Sequence, residues 1–300
     1  MLVLCIGCSD EEPHGESERP IGEFIDDWTF RVFPEAPYNN FDIAEFRLWV
    51  PKETNDLRAT LVLLTNHNGS ALGLTKSSEW QAFAQKERLA LLGVNLKSLN
   101  GTSNYALAGS GSGQALIDAL KKIAEAQGIL PISKLPLLMR GYSAGGNFSY
   151  NFSVFMPNKV VGVVSIRGGQ LEATPKNLAV PGLILSGEME GDQRNEYLRE
   201  IALDKRSEGG LWSFAIEPQA THFSSLENSD ALAKVFFSAI LKKRISTGQN
   251  GLLPISEDSG WLGNFTGTEV FPYSDYPGNM SRASWLPDAT CAEAWLTFQN

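Results

Sequence analysis

Continuous apolar runs dominate the central part of the chain. They occupy residues 59–65, 89–96, 135–140, 160–166 and 182–186. Because the apolar residues are consecutive and do not alternate with polar ones, each run predicts a strand buried on both faces, as in a parallel sheet covered by helices. Shorter β-type runs precede them at 24–33 and 46–50, and residues 212–216 predict one more strand.

Helical patterns separate the predicted strands. Residues 114–126 place apolar side chains at helical spacing, and Gly128 and Pro131 follow as a stop signal. Residues 230–243 predict a late amphipathic helix with basic residues in its last turn. Strands that alternate with helices predict an α/β fold, with a mostly parallel, doubly wound sheet that carries helices on both faces.

Composition narrows the possible functions. The 300 residues are 43% hydrophobic and 20% charged, which is typical of a globular protein. The net charge is −9 and no Lys/Arg cluster occurs, so nucleic acid is excluded as a partner. No run approaches the roughly 18 apolar residues of a membrane span. With three Cys, neither a disulfide framework nor a four-Cys zinc cage is expected.

The first eight residues carry a possible export signal. The run Leu4-Cys5-Ile6-Gly7-Cys8 resembles a bacterial lipobox, in which a small residue precedes a Cys that becomes lipidated. This resemblance implies lipidation of Cys8, and hence an exported bacterial lipoprotein, in the periplasm or on the cell surface, that reaches the membrane only through its lipid anchor. Residues 9–20 hold five acidic side chains against Arg19 and are expected to be a solvated tether.

The remaining chain divides into a large and a small part. We expect residues 21–250 to form the α/β domain, whose pattern of strands and helices ends there. Residues 251–300 are rich in Gly, Pro and aromatic residues and do not continue the alternation. We expect this extension to pack on the same domain and cover a flank of its sheet.

The most informative stretch joins the run at 135–140 to a helical segment at 147–155. Between them lies Gly141-Tyr142-Ser143-Ala144-Gly145, a Gly-x-Ser-x-Gly motif in a strand–turn–helix context. This arrangement is a nucleophile elbow, in which small residues on both sides allow a strained serine to face the substrate. The free N–H groups at the start of the following helix, Ala144 first, point to an oxyanion site.

On these residues the chain resembles the α/β-hydrolase superfamily. Residues 141–150 are similar to bacterial secreted esterases of the polyhydroxybutyrate depolymerase and feruloyl or acetyl esterase type. The resemblance implies a serine ester hydrolase that forms an acyl-enzyme, without metal or organic cofactor, and acts on small or polysaccharide-linked esters. A serine peptidase of the same fold and a non-catalytic surface binding protein are the alternatives, and the oligomeric state stays open.

The resemblance also implies a chain order of serine, acid and histidine. Of the three His, only His222 follows Ser143, and it lies after the last predicted strand, where the superfamily places its base. The acid is expected after the strand at 182–186. Glu190 occupies the usual position, and Asp192 is the main alternative, with Glu188 a lesser one.

The second oxyanion donor is expected in the loop after the strand at 59–65. Asn68 is favoured over Gly69, and His67 is expected to brace this loop. His67, Tyr142 and Arg167 are weaker candidates for substrate binding. Arg167 follows a predicted strand and is expected either to anchor a substrate carboxylate or to pair locally.

Overall fold

The structure of the protein is a computed structural model that describes residues 22–36, 40–52, 56–129, 131–169, 171, 174–246, 251–264 and 266–300. The expected lipidation site at Cys8 and the expected tether at 9–20 lie outside the described residues.

The core of the fold is a sheet of nine strands within this described part. The strands are β1 (Glu23–Asp26), β2 (Thr29–Val32), β3 (Ile43–Trp49), β4 (Ala59–Leu64), β5 (Leu89–Lys97), β6 (Leu137–Tyr142), β7 (Val160–Ile166), β8 (Gly182–Gly187) and β9 (Trp212–Glu217). Their order is β1-β2-β3-β5-β4-β6-β7-β8-β9. Pairs from β5 to β9 are parallel, whereas β1, β2 and β3 pair antiparallel with their neighbours. The predicted mostly parallel sheet is confirmed.

Helices cover both faces of the sheet. They are α1 (Ser78–Glu87), α2 (Ser112–Ala126), α3 (Pro131–Lys134), α4 (Ala144–Phe155), α5 (Asp192–Ser207), α6 (Glu227–Arg244) and α7 (Ala289–Phe298). Val62 and Leu64 of β4 join the core that α2, α4 and α5 cover, while Leu61 and Leu63 join the core beneath α1, α6 and α7. The apolar run of β4 therefore serves two cores at once, as a doubly covered strand requires. None of the described helices has both the length and the apolar character that a membrane span needs.

The start of the described chain differs from the sequence prediction. Residues 24–33 predict one β run, but the structure forms two antiparallel strands, β1 and β2, joined at Asp27 and Trp28. Trp28 has a φ of 59°, so the chain reverses through a left-handed residue. Asp27 favours turns, but a bulky aromatic residue is unusual at a left-handed position, so Trp28 conceals the reversal in the sequence.

The C-terminal segment forms a small sheet with strands β10 (Trp261–Gly263), β11 (Val270–Pro272) and β12 (Ser284–Leu286) in the order β11-β10-β12. Together with α7 it packs against α6 and the outer edge of β9. The indole N–H of Trp295 donates to the carbonyl of Phe214 in β9 at 2.9 Å, and the Phe214 amide donates to Ser284 Oγ at 3.0 Å. Side chains of this segment thus satisfy polar groups at the sheet edge.

Candidate active site

Ser143 lies in a sharp turn between β6 and α4, near the middle of the sheet. Its φ of 55° and ψ of −122° are strained for a residue with a side chain. A Cβ atom at position 141 would lie 1.9 Å from the carbonyl oxygen of Gly145, and one at position 145 would lie 2.4 Å from that of Thr65. Both positions therefore require glycine, and the turn places Ser143 at the carboxyl edge of the sheet.

His222 lies in the loop between β9 and α6. Its Nε2 atom is 2.9 Å from Ser143 Oγ. The phenol of Tyr142 donates to the backbone carbonyl of His222 at 2.7 Å, so the residue before the serine holds the loop that carries the histidine. Ser143 and His222 are both partly exposed, which lets a substrate carbonyl reach them from solvent.

Glu190 completes the arrangement from the short helical turn after β8. Its Oε1 atom is 2.6 Å from His222 Nδ1. Its Oε2 atom accepts from Ser186 Oγ at 3.0 Å and from the Gly187 amide at 3.2 Å. The side chain is 2% exposed, so this carboxylate is held by hydrogen bonds in a dry environment.

The other two acids of this turn point elsewhere. Asp192 is exposed at the first residue of α5, and the carboxylate of Glu188 accepts from the Gln219 amide at 2.7 Å. The structure thus brings Glu190, and neither of the alternatives, to the imidazole.

The contacts of His222 set its chemistry. A carboxylate only accepts hydrogen bonds, so Glu190 selects the tautomer with the proton on Nδ1. The lone pair on Nε2 then faces the hydroxyl of Ser143. This arrangement lets the imidazole take the serine proton while the buried carboxylate stabilises the resulting positive charge.

The guanidinium of Arg167 makes its contacts within the protein and does not face a substrate. The residue is 1% exposed, and its guanidinium donates to the carbonyl of Ser224 at 2.7 Å and to that of His222 at 3.3 Å. It also pairs with the Glu217 carboxylate at 2.7 Å. Arg167 therefore pairs locally, the second of its two expected roles, and holds the loop that contains His222.

The predicted oxyanion donors lie at the start of α4 and in the loop after β4. Ala144 is the first residue of α4, and the amides of a first helical turn have no intrahelical partner. The loop after β4 carries the other candidates. The Gly69 amide donates to the Asn66 carbonyl at 2.9 Å, so this less favoured donor already has an acceptor. Asn68 adopts a left-handed φ of 50°, and its side-chain oxygen accepts from the Ser98 amide at 3.2 Å.

His67 and Tyr142 occupy distinct positions. His67 is exposed, and its Nε2 atom lies 3.1 Å from the side-chain amide of Asn68, as expected of a residue that braces the loop. Tyr142 is only 8% exposed, and its hydroxyl is bonded to the His222 carbonyl. Tyr142 thus supports the histidine loop, and its buried phenol offers little surface to a substrate.

Two exposed apolar side chains lie on the loops that carry the histidine and the acid, and the sequence patterns did not single them out. The Phe223 ring is 82% exposed and lies 5.1 Å from the imidazole of His222, edge to face. Met189, next to Glu190, is 65% exposed, and its amide donates to the Ala220 carbonyl at 2.9 Å, which joins the acid loop to the histidine loop. Adjacency to the predicted acid and base was the only available signal for them.

The donor set offers little to a metal. Among the residues that the structure describes, no group of three or more His, Cys, Asp or Glu side chains lies close enough together to hold a metal ion.

Comparisons with known proteins rest on the fold. No family model and no curated protein matches the chain. Solved structures do match: a thermostable esterase is 16% identical, with a TM-score of 0.52 over 73% of this chain and 62% of that chain. LpqC, a poly(3-hydroxybutyrate) depolymerase from Bordetella parapertussis, is 13% identical, with a TM-score of 0.51 over 73% of this chain and 90% of that chain.

A third structure is named for a different substrate. Poly(aspartic acid) hydrolase-1 from Sphingomonas sp. KT-1 is 16% identical, with a TM-score of 0.50 over 70% of this chain and 97% of that chain. At this level of identity the similarity shows the fold alone. The predicted fold class is confirmed: this protein has the α/β-hydrolase fold.

Proposed function

We propose that the protein is a serine hydrolase that cleaves carboxylic esters through an acyl-enzyme intermediate. The observation that carries the proposal is the continuous contact from Ser143 Oγ to His222 Nε2 at 2.9 Å and from His222 Nδ1 to Glu190 Oε1 at 2.6 Å. A nucleophile, a base and an orienting acid in this geometry are what acyl transfer by a hydroxyl needs.

In the first half of the reaction, Ser143 Oγ attacks the ester carbonyl as His222 takes its proton. The tetrahedral intermediate collapses when His222 donates that proton to the departing alcohol, which leaves the acyl group on Ser143. In the second half, His222 takes a proton from water as the water oxygen attacks the acyl carbonyl. His222 then returns a proton to Ser143 Oγ as the bond from Oγ to the acyl carbon breaks, which releases the acid and restores the serine. Glu190 keeps the imidazole oriented and stabilises its charged form in both halves.

The oxyanion of each tetrahedral intermediate is stabilised by backbone amides. Ala144 N–H at the start of α4 supplies one donor. Because the Gly69 amide already has an acceptor in the fold, the second donor is proposed to be the amide of Asn68.

The surroundings of the histidine favour esters with an uncharged alcohol part. His222 must donate its proton to the leaving oxygen, so the alcohol lies beside the imidazole, where the Phe223 ring is exposed. The guanidinium of Arg167, which would have suited an anionic substrate, is buried against backbone carbonyls. Small and polysaccharide-linked acyl esters stay the proposed substrates.

A fluorophosphonate probe tests the proposal. The folded protein is expected to form a stoichiometric adduct, mapped by mass spectrometry to Ser143 and absent from Ser143→Ala. A panel of short-acyl, feruloyl and acetyl-xylan esters, with a peptide series beside it, then identifies the substrate class. Folded protein without an adduct would instead support the non-catalytic binding protein, and preferential cleavage of the peptides would support the peptidase.

Export as a lipoprotein is a separate proposal that depends on Cys8. Metabolic labelling in a bacterial host with an alkyne fatty acid is expected to label the wild-type chain and not Cys8→Ser. Equal labelling of both chains would contradict the lipobox interpretation.

A further inference from the structure

Arg194 contacts the acid of the proposed triad. It lies in the first turn of α5, four residues after Glu190, and its Nε atom is 3.3 Å from Glu190 Oε1. This is the same carboxylate oxygen that faces Nδ1 of His222 at 2.6 Å. A guanidinium and an imidazole therefore share one oxygen of Glu190.

The same guanidinium also binds the segment that follows β7. Its Nη2 atom donates to the carbonyl of Arg167 at 2.7 Å. A Cβ atom at position 169 would lie 2.8 Å from Nη1 of Arg194, so the guanidinium packs directly against the backbone of Gly169. The Gly169 amide in turn donates to Oδ1 of Asn147 at 2.8 Å, and Asn147 belongs to α4, the helix that Ser143 precedes. Arg194 thus connects the acid to the elements that carry the nucleophile.

The charged and titratable groups around the Glu190–His222 pair distinguish Arg194 from other basic residues nearby. These groups, on the neighbouring elements, are Tyr142 of β6, Arg167 after β7, Glu188 and Asp192 around the acid turn, and Glu217 of β9. The positive charge of Arg167 is matched by Glu217 at 2.7 Å, and Glu188 and Asp192 are exposed. Among the described residues, Arg194 and His222 are the two basic side chains that form an ion pair with the carboxylate of Glu190.

We propose that Arg194 is a positioning residue of the triad. It holds Glu190 in register with His222, and its positive charge offsets part of the carboxylate charge that faces the imidazole. The inference rests on the proposed function for its kinetic consequences, while the electrostatic part is measurable without turnover. Loss of the cation leaves Glu190 fully available to His222, which favours the protonated imidazole.

The decisive variant is Arg194→Gln, with Arg199→Gln as its matched control. Arg199 lies on the same helix and pairs with Glu196 at 2.8 Å, so the control removes the same charge from α5 without touching Glu190. In Arg194→Gln we expect the acid limb of the kcat/KM profile to move up by about half a pH unit, since an imidazole with more stable positive charge loses its proton later. We expect kcat at the plateau to fall about tenfold because Glu190 loses one support. A profile identical to that of Arg199→Gln would overturn the proposal.

Two further variants separate charge from position. Arg194→Lys keeps the charge but not the planar fork, so the acid limb should stay at its wild-type pH while kcat falls. Gly169→Ala keeps Arg194 and displaces its guanidinium. We therefore expect kcat to fall, while the acid limb moves less than in Arg194→Gln. If both variants instead behave like wild type, the bridge to the segment after β7 has no positioning role.

An NMR measurement at fixed pH tests the electrostatic part independently of activity. The chain has three His, so imidazole signals of labelled protein are assignable with His14→Gln and His67→Gln variants. The resonance of the His222 Nδ1 proton should shift in Arg194→Gln relative to wild type and stay in place in Arg199→Gln. If wild type is inactive on esters but the shift is present, the esterase proposal is refuted and the inference about Arg194 stands. If wild type is active but the shift is absent, the inference is refuted and the esterase proposal stands.

Discussion

The Nδ1 atom of His222 lies 2.6 Å from Oε1 of Glu190, a carboxylate that is 2% exposed. The neighbouring Asp192, two residues further along, is exposed at the start of α5. This contrast makes the choice of acid testable. We expect Glu190→Gln to lower kcat roughly 10³- to 10⁴-fold, because an amide in place of the carboxylate no longer selects the productive tautomer or stabilises the imidazolium.

The matched variant Asp192→Asn removes an exposed charge and should stay within about twofold of wild type. Both are measured as kcat on a short-acyl ester, with circular dichroism to verify folding. An active Glu190→Gln beside an inactive Asp192→Asn would transfer the role to Asp192.

Phe223 is predicted to set the preference for the alcohol part of the ester. The ring is 82% exposed beside the imidazole that, in the proposed mechanism, protonates the leaving oxygen. Phe223→Ala should lower kcat/KM about tenfold for esters of bulky apolar alcohols, since a substrate group can no longer bury itself against the ring. Methyl esters with varied acyl chains should be unaffected.

Phe24→Ala provides the control for this experiment. Phe24 is also an exposed aromatic residue, 42% accessible, but it lies on β1 at the opposite edge of the sheet. An equal loss across the alcohol and acyl series in Phe223→Ala would show a general effect on His222 and contradict the specificity role.

Lys205 gives a prediction on stability. Its ammonium is buried, donates to the Thr174 carbonyl at 2.6 Å and lies 5.3 Å from the Trp212 ring. Burial lowers the pKa of Lys205 to about 8, from an ordinary value of 10.5. Between these two values the unfolded chain binds more protons than the folded protein, so the free energy of unfolding gains a contribution that rises with pH.

The Lys205→Met variant lacks this titration. The difference in unfolding free energy between wild type and Lys205→Met should therefore shift in favour of wild type from pH 7 to pH 9.5. Urea denaturation at several pH values measures it, and other titrating groups cancel in the difference. A difference independent of pH would show that Lys205 titrates normally.

Trp295 is predicted to stabilise the edge of the main sheet. Trp295→Phe removes the indole donor that lies 2.9 Å from the Phe214 carbonyl, which then keeps only the Ser284 hydroxyl at 3.2 Å. The loss of one such hydrogen bond costs about 0.5 to 1.5 kcal/mol of unfolding free energy. Trp261→Phe, at a partly exposed position of β10, serves as the control and should cost less. Equal midpoints for the two variants in chemical denaturation would contradict the prediction.

Much of the fold and the nucleophile were predictable because their signals are local. The doubly buried strands β4 to β8 are continuous apolar runs, and the turn at Ser143 requires glycine at 141 and 145 for steric reasons. Such constraints act within a few residues and therefore leave a pattern in the sequence.

The acid and the second oxyanion donor depend on distant contacts instead. Glu190 and Asp192 share one acidic turn, and only the fold shows that the Gly187 amide and His222 hold the first, while α5 turns the second outward. The loop that carries Asn68 is also held from a distance, since its side-chain oxygen accepts from the Ser98 amide at 3.2 Å, 30 positions further along the chain. Neither relationship has a local signature, which is why the alternatives for the acid and for the second donor stayed open in the sequence.

Arg194 and Phe223 show the same limit for side chains around the site. Each is near a predicted triad residue in the sequence, but an arginine on a charged helix and an aromatic in a loop are common. Their significance comes from the shared oxygen of Glu190 and from the high exposure of the Phe223 ring.

The polar groups of Phe214 at the rim of β9 also bear on how the protein meets other molecules. An uncovered edge strand is a template on which another polypeptide adds a strand, and that is a common route to fibrils and to edge-to-edge dimers. Here Ser284, Trp295 and Gln299 already engage the main chain of Phe214 and Ile216. Another chain could add a strand at this part of β9 only after the C-terminal segment had dissociated from it. The segment thus disfavours self-association through this edge.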